Sequence, residues 1–428
     1  MSHTVRQRTL FVALSLFLMT AAFILTKTGR DALYFQGRGL FDLPWAYVAI
    51  AFFSLPTAFA MLTLMRHLGP RRARIGAPIG MSGIILLFSL CARPGGGWLM
   101  TSFFVLIPLA FGVLFSLAWL LGADLLEGVP HSALARSYGI VGAASILGGM
   151  AGGITARALS RQVEPQSLIL LGAMALASAA AVAAVAQSRF PPAPIAGATA
   201  VGEPTLRDLT LALKRRYPLL LLAVGMLSSL VGILVEFQLY LAAATSGHDG
   251  RANAQFFGGV YLALNCAALA VQLYAMPRLQ RAIGVHGSLL VLPAALLAGA
   301  ATLLATATLF ALSLLRVTEG GLKASIHRVN WEQAFLPLER AERAVAKLLV
   351  DGAGARIAEG FAAGALALWL TFVVRGRDLV GQDVSWITYA LLVASLLWVG
   401  LTRVLARSLA QAASHPEEFR PDIPLPDT

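Results

Sequence analysis

The chain has 428 residues, of which 58% are hydrophobic and 13% charged, and its mean hydropathy is +0.75. Soluble proteins carry about 25% charged residues, so this composition excludes a soluble fold that keeps its apolar surface out of water. The net charge of +12 does not indicate nucleic acid, because basic loops facing anionic lipid account for it. Membrane lipids are therefore the expected surroundings, and no nucleic-acid partner is expected.

The apolar segments are continuous rather than alternating, which predicts membrane-spanning helices and argues against a β-barrel. Most have close to the roughly 20 residues that a span needs. The ninth and tenth meet at residues 300–302. In chain order, the twelve predicted spans are residues 9–26, 45–65, 73–91, 99–121, 135–158, 167–186, 219–243, 256–275, 286–300, 302–318, 345–374 and 386–405.

The basic residues predict the orientation of the spans. The chain has 33 Lys and Arg, and about 24 of them fall on the cytoplasmic side when both termini are placed there, as the positive-inside rule requires. We therefore predict a multi-pass protein of the bacterial inner (plasma) membrane with both termini in the cytoplasm.

A stretch rich in Pro and Gly separates the sixth from the seventh span and predicts a linker. The spans on its two sides resemble each other: basic loops at residues 65–76 and 276–284 hold matching places, and G-x-x-x-G pairs occur in spans five and eleven. These features predict an all-α protein with two pseudo-symmetric six-helix bundles. The predicted divisions are a first bundle at 1–189, a cytoplasmic linker at 190–216, a second bundle at 217–410 and a disordered cytoplasmic tail at 411–428.

Ionisable residues inside spans are costly and usually functional. Lys27 and Asp31 lie one helical turn apart at the end of the first span, and Arg30 beside them leaves the cluster with a net positive charge. Glu236 in span seven needs a cation or a proton, and span one of the other half can offer the cation through Lys27 or Arg30. Glu236 could belong to a substrate site or gate, or to a purely structural ion pair.

Polar residues also follow one face of span eight and of span ten. Tyr261, Asn265 and Gln272 form a stripe that either hydrogen bonding between helices or the lining of a cavity explains. Arg316 lies deep in span ten, and a guanidinium suits carboxylate or phosphate. The excess of cations over anions among these residues predicts a small anionic solute.

Two sets of site residues follow from these patterns. Charges at the inner ends of spans are predicted to hold the two halves in one conformational state. The predicted gating residues are Asp124, Glu127, Arg136, Glu319, Lys347, Asp351 and Arg356. The predicted substrate-binding residues are Lys27, Arg30, Asp31, Glu236, Gln238, Tyr261, Asn265 and Arg316.

The sequence holds no motif typical of a soluble enzyme. The GGLK segment at 320–323 lacks the upstream glycine and the spacing of a phosphate-binding loop, which argues against direct ATP hydrolysis. No pair among the seven histidines stands out as metal-binding. We therefore expect a protein that is not an enzyme, has no cofactor and moves its solute on a gradient or by exchange.

Several short segments resemble the bacterial and plastid ATP:ADP antiporter (nucleotide transporter) family, a divergent branch of the major-facilitator architecture. The segments TKTGRDALY at 26–34 and LPWAY at 43–47 are similar to its first span and the entry to its second, and VEFQ at 235–238 to its seventh span. Two junctions between spans also carry the likeness. They comprise ADL at 123–125 with Arg136, Gly142, Gly148 and Gly152, and WEQAFLPL at 331–338 with Lys347, Asp351 and Arg356.

This resemblance implies a twelve-span exchanger or proton-coupled carrier whose basic residues contact nucleotide phosphates. The family's cationic contact would fall on Lys27 or Arg30, and its acidic position on Glu236. Residues 69–72 lack the acidic residue of the usual major-facilitator signature, which argues against a typical drug/proton antiporter. The alternatives are a carrier of another organic anion or of a lipid-like amphiphile, and a receptor or scaffold that has lost transport. A monomer is expected.

Overall fold

The computed structural model describes residues 3–37, 42–91, 97–126, 131–190, 215–245, 250–306, 308–335, 337–338, 346, 349–350, 354–372 and 385–414. Within these ranges all regular structure is helical. The helices are α1 (His3–Gly37), α2 (Leu43–Leu68), α3 (Pro70–Cys91), α4 (Gly97–Leu125), α5 (His131–Leu159), α6 (Pro165–Arg189), α7 (Arg216–Thr245), α8 (Gly250–Ala270), α9 (Met276–Ser288), α10 (Val291–Ala305), α11 (Leu309–Leu322), α12 (Arg328–Ala334), α13 (Ala355–Phe372) and α14 (Ser385–Ser414).

These helices form twelve membrane spans, as predicted. Ten helices in the described parts of the chain are long and apolar enough to cross a membrane. The second span is α2, which runs from Leu43 to Leu68. The tenth is α11, which a π-helical turn at Lys323–His327 extends into α12. A similar turn at Val271–Ala275 extends α8 into α9.

The spans are grouped into the two predicted six-helix bundles. In the first, α1 packs against α4, α5 and α6, α2 against α4, and α3 against α6. In the second, α7 packs against α11, α13 and α14, and α10 against α11 and α14. The bundles meet along two seams, α5 with α8 and α2 with α13, and α1 also packs on α8. An enclosed space between these seams is where a solute site is expected.

The turn between the ninth and tenth spans lies further along the chain than residues 300–302. Helix α10 runs on to Ala305, and α11 begins after Thr308, whose side chain accepts a hydrogen bond from the Ala311 backbone N–H at 3.2 Å. Hydropathy cannot separate a short capped turn from the apolar helices around it, so the cap decides the boundary. Helix α14 also continues past residue 410 to Ser414, into the segment predicted to be a tail.

The glycine pairs of α5 allow close helix contact on two faces. A Cβ on Gly148 or Gly152 would collide with the backbone of α1 at Phe17 and Ala21, respectively. A Cβ on Gly153 would lie 2.9 Å from the backbone nitrogen of Leu262 in α8. Helix α5 therefore touches both its own bundle and the opposite one through residues that have no side chain.

Replacing Gly153 with valine should lower the free energy of unfolding by about 1–3 kcal/mol, because the colliding atoms of α8 are backbone and cannot rotate away. The matched control is Gly112→Val, since no heavy atom of the described residues would lie within 4 Å of a Cβ there. Thermal unfolding of the purified proteins measures both. Equal melting temperatures for the two variants would contradict the tight seam.

Candidate functional site

A cavity of about 620 Å³ lies between the two bundles, within the range of small-molecule sites. Along α7 its lining runs from Gly225 to Glu236, a depth of roughly 16 Å at 1.5 Å per residue. Lys323 and Arg328 line its outer part with side chains that are 42% and 65% exposed. The cavity is therefore open toward the end of the bundle where α7 begins.

At the deep end, one carboxylate oxygen holds two cations. Lys27 Nζ of α1 lies 2.8 Å from Glu236 Oε1, and Arg316 Nη2 of α11 lies 3.3 Å from the same atom. Lys27 Nζ also lies 4.8 Å from the centre of the Tyr261 ring, within the range of a cation–π contact. This cluster joins the first bundle, through α1, to the second, through α7 and α11.

The charges continue along α11 toward the open end. Arg316 donates to Glu319 through Nη1, and Lys323 Nζ lies 3.3 Å from the other oxygen of Glu319. The Arg316 Nε is buried and has no hydrogen-bond partner among the described residues. Positive and negative groups thus alternate along the wall of the cavity, and the Arg316 Nε–H is a donor without a described acceptor.

Beyond Glu236 the space between the bundles is closed by a fully buried polar cluster. Arg30 Nη2 lies 2.5 Å from Asp31 Oδ1, and the guanidinium stacks 4.0 Å from the Phe104 ring centre. The hydroxyl groups of Tyr240 and Tyr261 each donate to Asp31 Oδ2 at 2.8 Å. An α1 carboxylate is therefore bonded to α7 and α8 of the opposite bundle.

Aromatic rings and a surface ion pair complete the closure at this end. The ring centroid of Phe35 in α1 lies 4.9 Å from that of Tyr240 and 5.9 Å from that of Phe257. Further out, Arg251 at the start of α8 pairs with Glu164 just before α6. The cavity is thus open at one end and closed at the other.

A smaller chamber of about 130 Å³ adjoins the cavity between α1, α2, α4, α7 and α13. Lys27 and Glu236 line both spaces, and Arg30 and Tyr47 line only the chamber. The predicted cationic cluster at the end of α1 is therefore divided: Lys27 faces the main cavity, and Arg30 lies deeper with Asp31.

The predicted binding residues occupy three kinds of position. Five line the main cavity, namely Lys27, Glu236, Tyr261, Asn265 and Arg316. Arg30 and Asp31 lie in the buried closure beyond it. Gln238 is buried two residues past Glu236 and is not part of either lining; its Nε2 has no partner among the described residues.

The predicted gating residues are more scattered. Glu319 and Arg356 line the main cavity, and Arg356 pairs with Glu359 of the same helix at 2.5 Å. Asp124 pairs with Arg74 at 2.6 Å inside the first bundle. Arg136 lies on α5, but its side chain is outside the described part, as are Glu127, Lys347 and Asp351 altogether.

Several residues of the site and its closure escaped the sequence analysis. Tyr240, one turn after Glu236, donates to Asp31, and Glu359 lines both spaces. The outer part of the α7 lining, before Ile233 and Glu236, consists of small residues. They are Gly225, Ser228, Ser229 and Gly232. Their spacing of three, one and three residues is a helical pattern that the sequence displays.

Comparisons with known proteins give matches to solved structures only. No family model and no curated protein sequence matches the chain. A mutant of the nucleoside transporter NupG is similar at 14% identity and a TM-score of 0.59, over 94% of this chain and 99% of that chain. NupG itself gives 13% identity and a TM-score of 0.59, over 94% and 98%. A bacterial homologue of the human lysosomal transporter Spinster, inward-facing and unoccupied, gives 13% and 0.57, over 99% and 100%.

At this level of identity the matches concern the fold, and they extend over nearly the whole of each chain. The resemblance to the ATP:ADP antiporter family stays a prediction, because no sequence match supports it. Its coarser part, the architecture, agrees with the helices and their packing. The chain therefore has the major-facilitator fold that these transporters share.

Proposed function

We propose that this protein is a secondary active transporter that moves a small anionic solute by alternating access, with a nucleotide of the ATP/ADP type as the solute. The observation that carries the proposal is the deep end of the main cavity. There, cations from both bundles, Lys27 and Arg316, converge within 3.3 Å of one oxygen atom. A solute held between them contacts both halves at once, so its binding can bias their relative position.

The charge of the cavity favours an anion. Among the described lining residues, five are Lys or Arg and three are Glu. Lys323 and Arg328 are exposed at the open end, where each pairs with a glutamate of its own helical segment and a solute can reach it. Guanidinium groups bind carboxylate and phosphate through two parallel hydrogen bonds. An elongated anion can thus be held at its inner end by Lys27 and Arg316 and at its outer end by exposed cations.

The closure beyond Glu236 supplies the second element that alternating access requires. Asp31 and its two tyrosine partners close one end in the conformation described. The Lys/Arg distribution favours a cytoplasmic position for the open end, so this is the inward-facing state in our proposal. Transport requires the Asp31 contacts to break when the opposite end opens.

The alternatives make different demands on the cavity. A lipid-like substrate needs an apolar opening between the bundles, whereas the α5–α8 and α2–α13 seams are packed and the deep end is charged. A scaffold that has lost transport is favoured by the ion pairs that neutralise the charges, but not by the open volume of about 620 Å³. Transport of an anion accounts for both the volume and the surplus of cations.

Ligand-induced thermal stabilisation tests the proposal. A ligand that binds only the folded protein raises its melting temperature as its concentration exceeds the dissociation constant. We expect ATP or ADP to stabilise the detergent-purified chain and Lys27→Ala to remove the effect. The control is Arg403→Ala, a cation exposed on α14 away from both linings, which should keep it.

Exchange in liposomes then separates a carrier from a binding protein. Liposomes loaded with ADP should take up labelled ATP through the wild type and not through Lys27→Ala. If another organic anion or a lipid alone stabilises the protein, the nucleotide assignment is wrong. Binding without exchange would instead favour a receptor with the same fold.

A further inference from the structure

We infer that Glu236 is an internal counter-anion, which in the empty cavity occupies the position that an anionic group of the solute takes between Lys27 and Arg316. The inference rests on the proposed function only in that the solute is an anion. It adds a mechanism of competition: the solute must displace a carboxylate of the protein before it can bind. Glu236 is then the residue that sets how tightly the anion is held.

The first argument is geometric. A single oxygen, Glu236 Oε1, lies 2.8 Å from Lys27 Nζ, 3.3 Å from Arg316 Nη2 and 3.2 Å from the Tyr240 hydroxyl. Two cationic donors, from α1 and α11, thus point at one acceptor, and the Tyr240 hydroxyl, whose proton goes to Asp31, lies beside it. A phosphate or carboxylate oxygen of a solute requires donors in such an arrangement, so the carboxylate marks a ready-made oxyanion position.

The second argument is the incomplete satisfaction of Arg316. Its Nη1 and Nη2 are engaged by Glu319 and Glu236, but its buried Nε has no partner in the described part of the chain. A buried donor without a partner is costly. One oxygen atom of a solute can occupy the position of Glu236 Oε1 while a second accepts a hydrogen bond from the free Arg316 Nε. The single glutamate oxygen at this position does not do both.

The third argument concerns the empty state. Without Glu236, Lys27 and Arg316 would face each other across the deep end with no described carboxylate shared between them, because the ion pairs of Glu319 in the described part of the chain are with Arg316 and Lys323. Two like charges in a partly desolvated site repel each other strongly. The glutamate lets the cavity exist without solute, and it also competes with every anion that enters.

The test compares inorganic phosphate binding by the wild type and by Glu236→Gln, which removes the charge and keeps the size. Because two cations lose their shared partner, we expect phosphate and ADP to bind at least about 10-fold more tightly to the variant. Isothermal titration calorimetry on the detergent-purified full chain measures this, and neutral adenosine should show no gain. Adding Lys27→Ala to Glu236→Gln should cancel the gain.

The matched control is Glu164→Gln, which removes a carboxylate that also pairs with an arginine across the two bundles, but outside the cavity. Its phosphate affinity should equal that of the wild type. Equal or weaker phosphate binding by Glu236→Gln, or an equal gain for adenosine, would overturn the inference. If Glu236→Gln does not yield folded protein, Glu236→Asp replaces it, because the shorter aspartate carboxylate cannot contact both cations. The Glu236→Asp variant should bind phosphate several-fold more tightly than the wild type. An unchanged phosphate affinity would overturn the inference.

The outcomes separate this inference from the nucleotide proposal. If ADP and ATP do not bind the wild type but phosphate binds Glu236→Gln more tightly, the counter-anion stands and the nucleotide assignment fails. If ADP binds the wild type and is exchanged, yet Glu236→Gln shows no gain, the carrier stands and the counter-anion fails.

Discussion

Asp31→Asn should reduce the free energy of unfolding by about 3–5 kcal/mol, the cost of leaving one member of a buried ion pair without its partner. Asp31 has no exposed side-chain surface, and its carboxylate accepts from Arg30 and from two tyrosine hydroxyls. Asparagine keeps the size but removes the charge, so the Arg30 guanidinium becomes an uncompensated cation inside the membrane. Chemical or thermal unfolding in detergent measures the loss.

Asp124→Asn is the matched control, because it too removes an aspartate that pairs with an arginine in a span. The Asp124 side chain is 32% exposed and lies at the end of α4, where it pairs with Arg74. Water can replace part of that contact, so a loss of no more than about 1 kcal/mol is expected. Similar losses for Asp31→Asn and Asp124→Asn would show that burial of the first pair is not what stabilises the fold.

The double variant Tyr240→Phe/Tyr261→Phe should open the closed end of the cavity. Each hydroxyl donates to the Asp31 carboxylate across the boundary between the bundles, and a hydrogen bond to a charged group contributes about 1.5–3 kcal/mol. Loss of both should therefore shift the equilibrium at least about 100-fold toward a state in which this end is open. The apolar ring contacts with Phe35 are kept, so the change is confined to the hydrogen bonds.

A cysteine at residue 254 reports this shift, because Ala254 is fully buried in a cluster with Ala32 and Ala156 at the closed end. In a background without Cys91 and Cys266, a membrane-impermeant maleimide should label Ala254→Cys slowly in the wild type and much faster in the double tyrosine variant.

The control for the loss of a tyrosine hydroxyl is Tyr217→Phe. In the wild type the Tyr217 hydroxyl donates to the Ala334 carbonyl oxygen at 2.6 Å, within the second bundle. Because this bond does not cross between the bundles, Tyr217→Phe should leave labelling at residue 254 unchanged. Equal labelling rates in all three proteins would argue that Asp31 does not hold the bundles together.

The fold could be predicted from the sequence because lipid leaves a chain this apolar few ways to pair its backbone groups. The positions of the spans follow from hydropathy. The turn at Thr308 does not, since a hydrogen bond from the Ala311 N–H to the threonine oxygen fixes it. Local capping of this kind is invisible to a window that averages over a whole span.

The part of the candidate site that could be predicted is the ion pair between the bundles, because a carboxylate inside a span needs an oppositely charged partner. Glu236 required a cation from span one, and Lys27 supplies it at 2.8 Å. The partner of Asp31 was not predictable from helical spacing: Lys27 lies one turn away, but Arg30 at the adjacent position turns back to pair with it. Side-chain direction in the folded bundle, rather than spacing along one helix, decides between these two cations.

Tyr240 shows a different limit of sequence patterns. It lies one turn after Glu236, so a shared face was visible, but its bond to Asp31 depends on how α7 packs against α1. The sequence suggested a substrate contact for Asp31, which stays a prediction, and the structure buries this side chain at the closed end of the cavity.

The small-residue face of α7 has a consequence for the size of what the main cavity can hold. Gly225 and Gly232 leave width that a single methyl group would reduce: a Cβ on Gly232 would lie 3.1 Å from Lys323 Nζ, the flexible end of a long side chain. The two cations at the deep end belong to α1 and α11, whereas the small residues of the cavity wall belong to α7. A Cβ on Gly232 would also lie 3.3 Å from Glu319 Oε1. A larger residue there would therefore narrow the cavity and disturb the Lys323–Glu319 pair together, so the size and the charge of the cavity cannot be changed independently at this position.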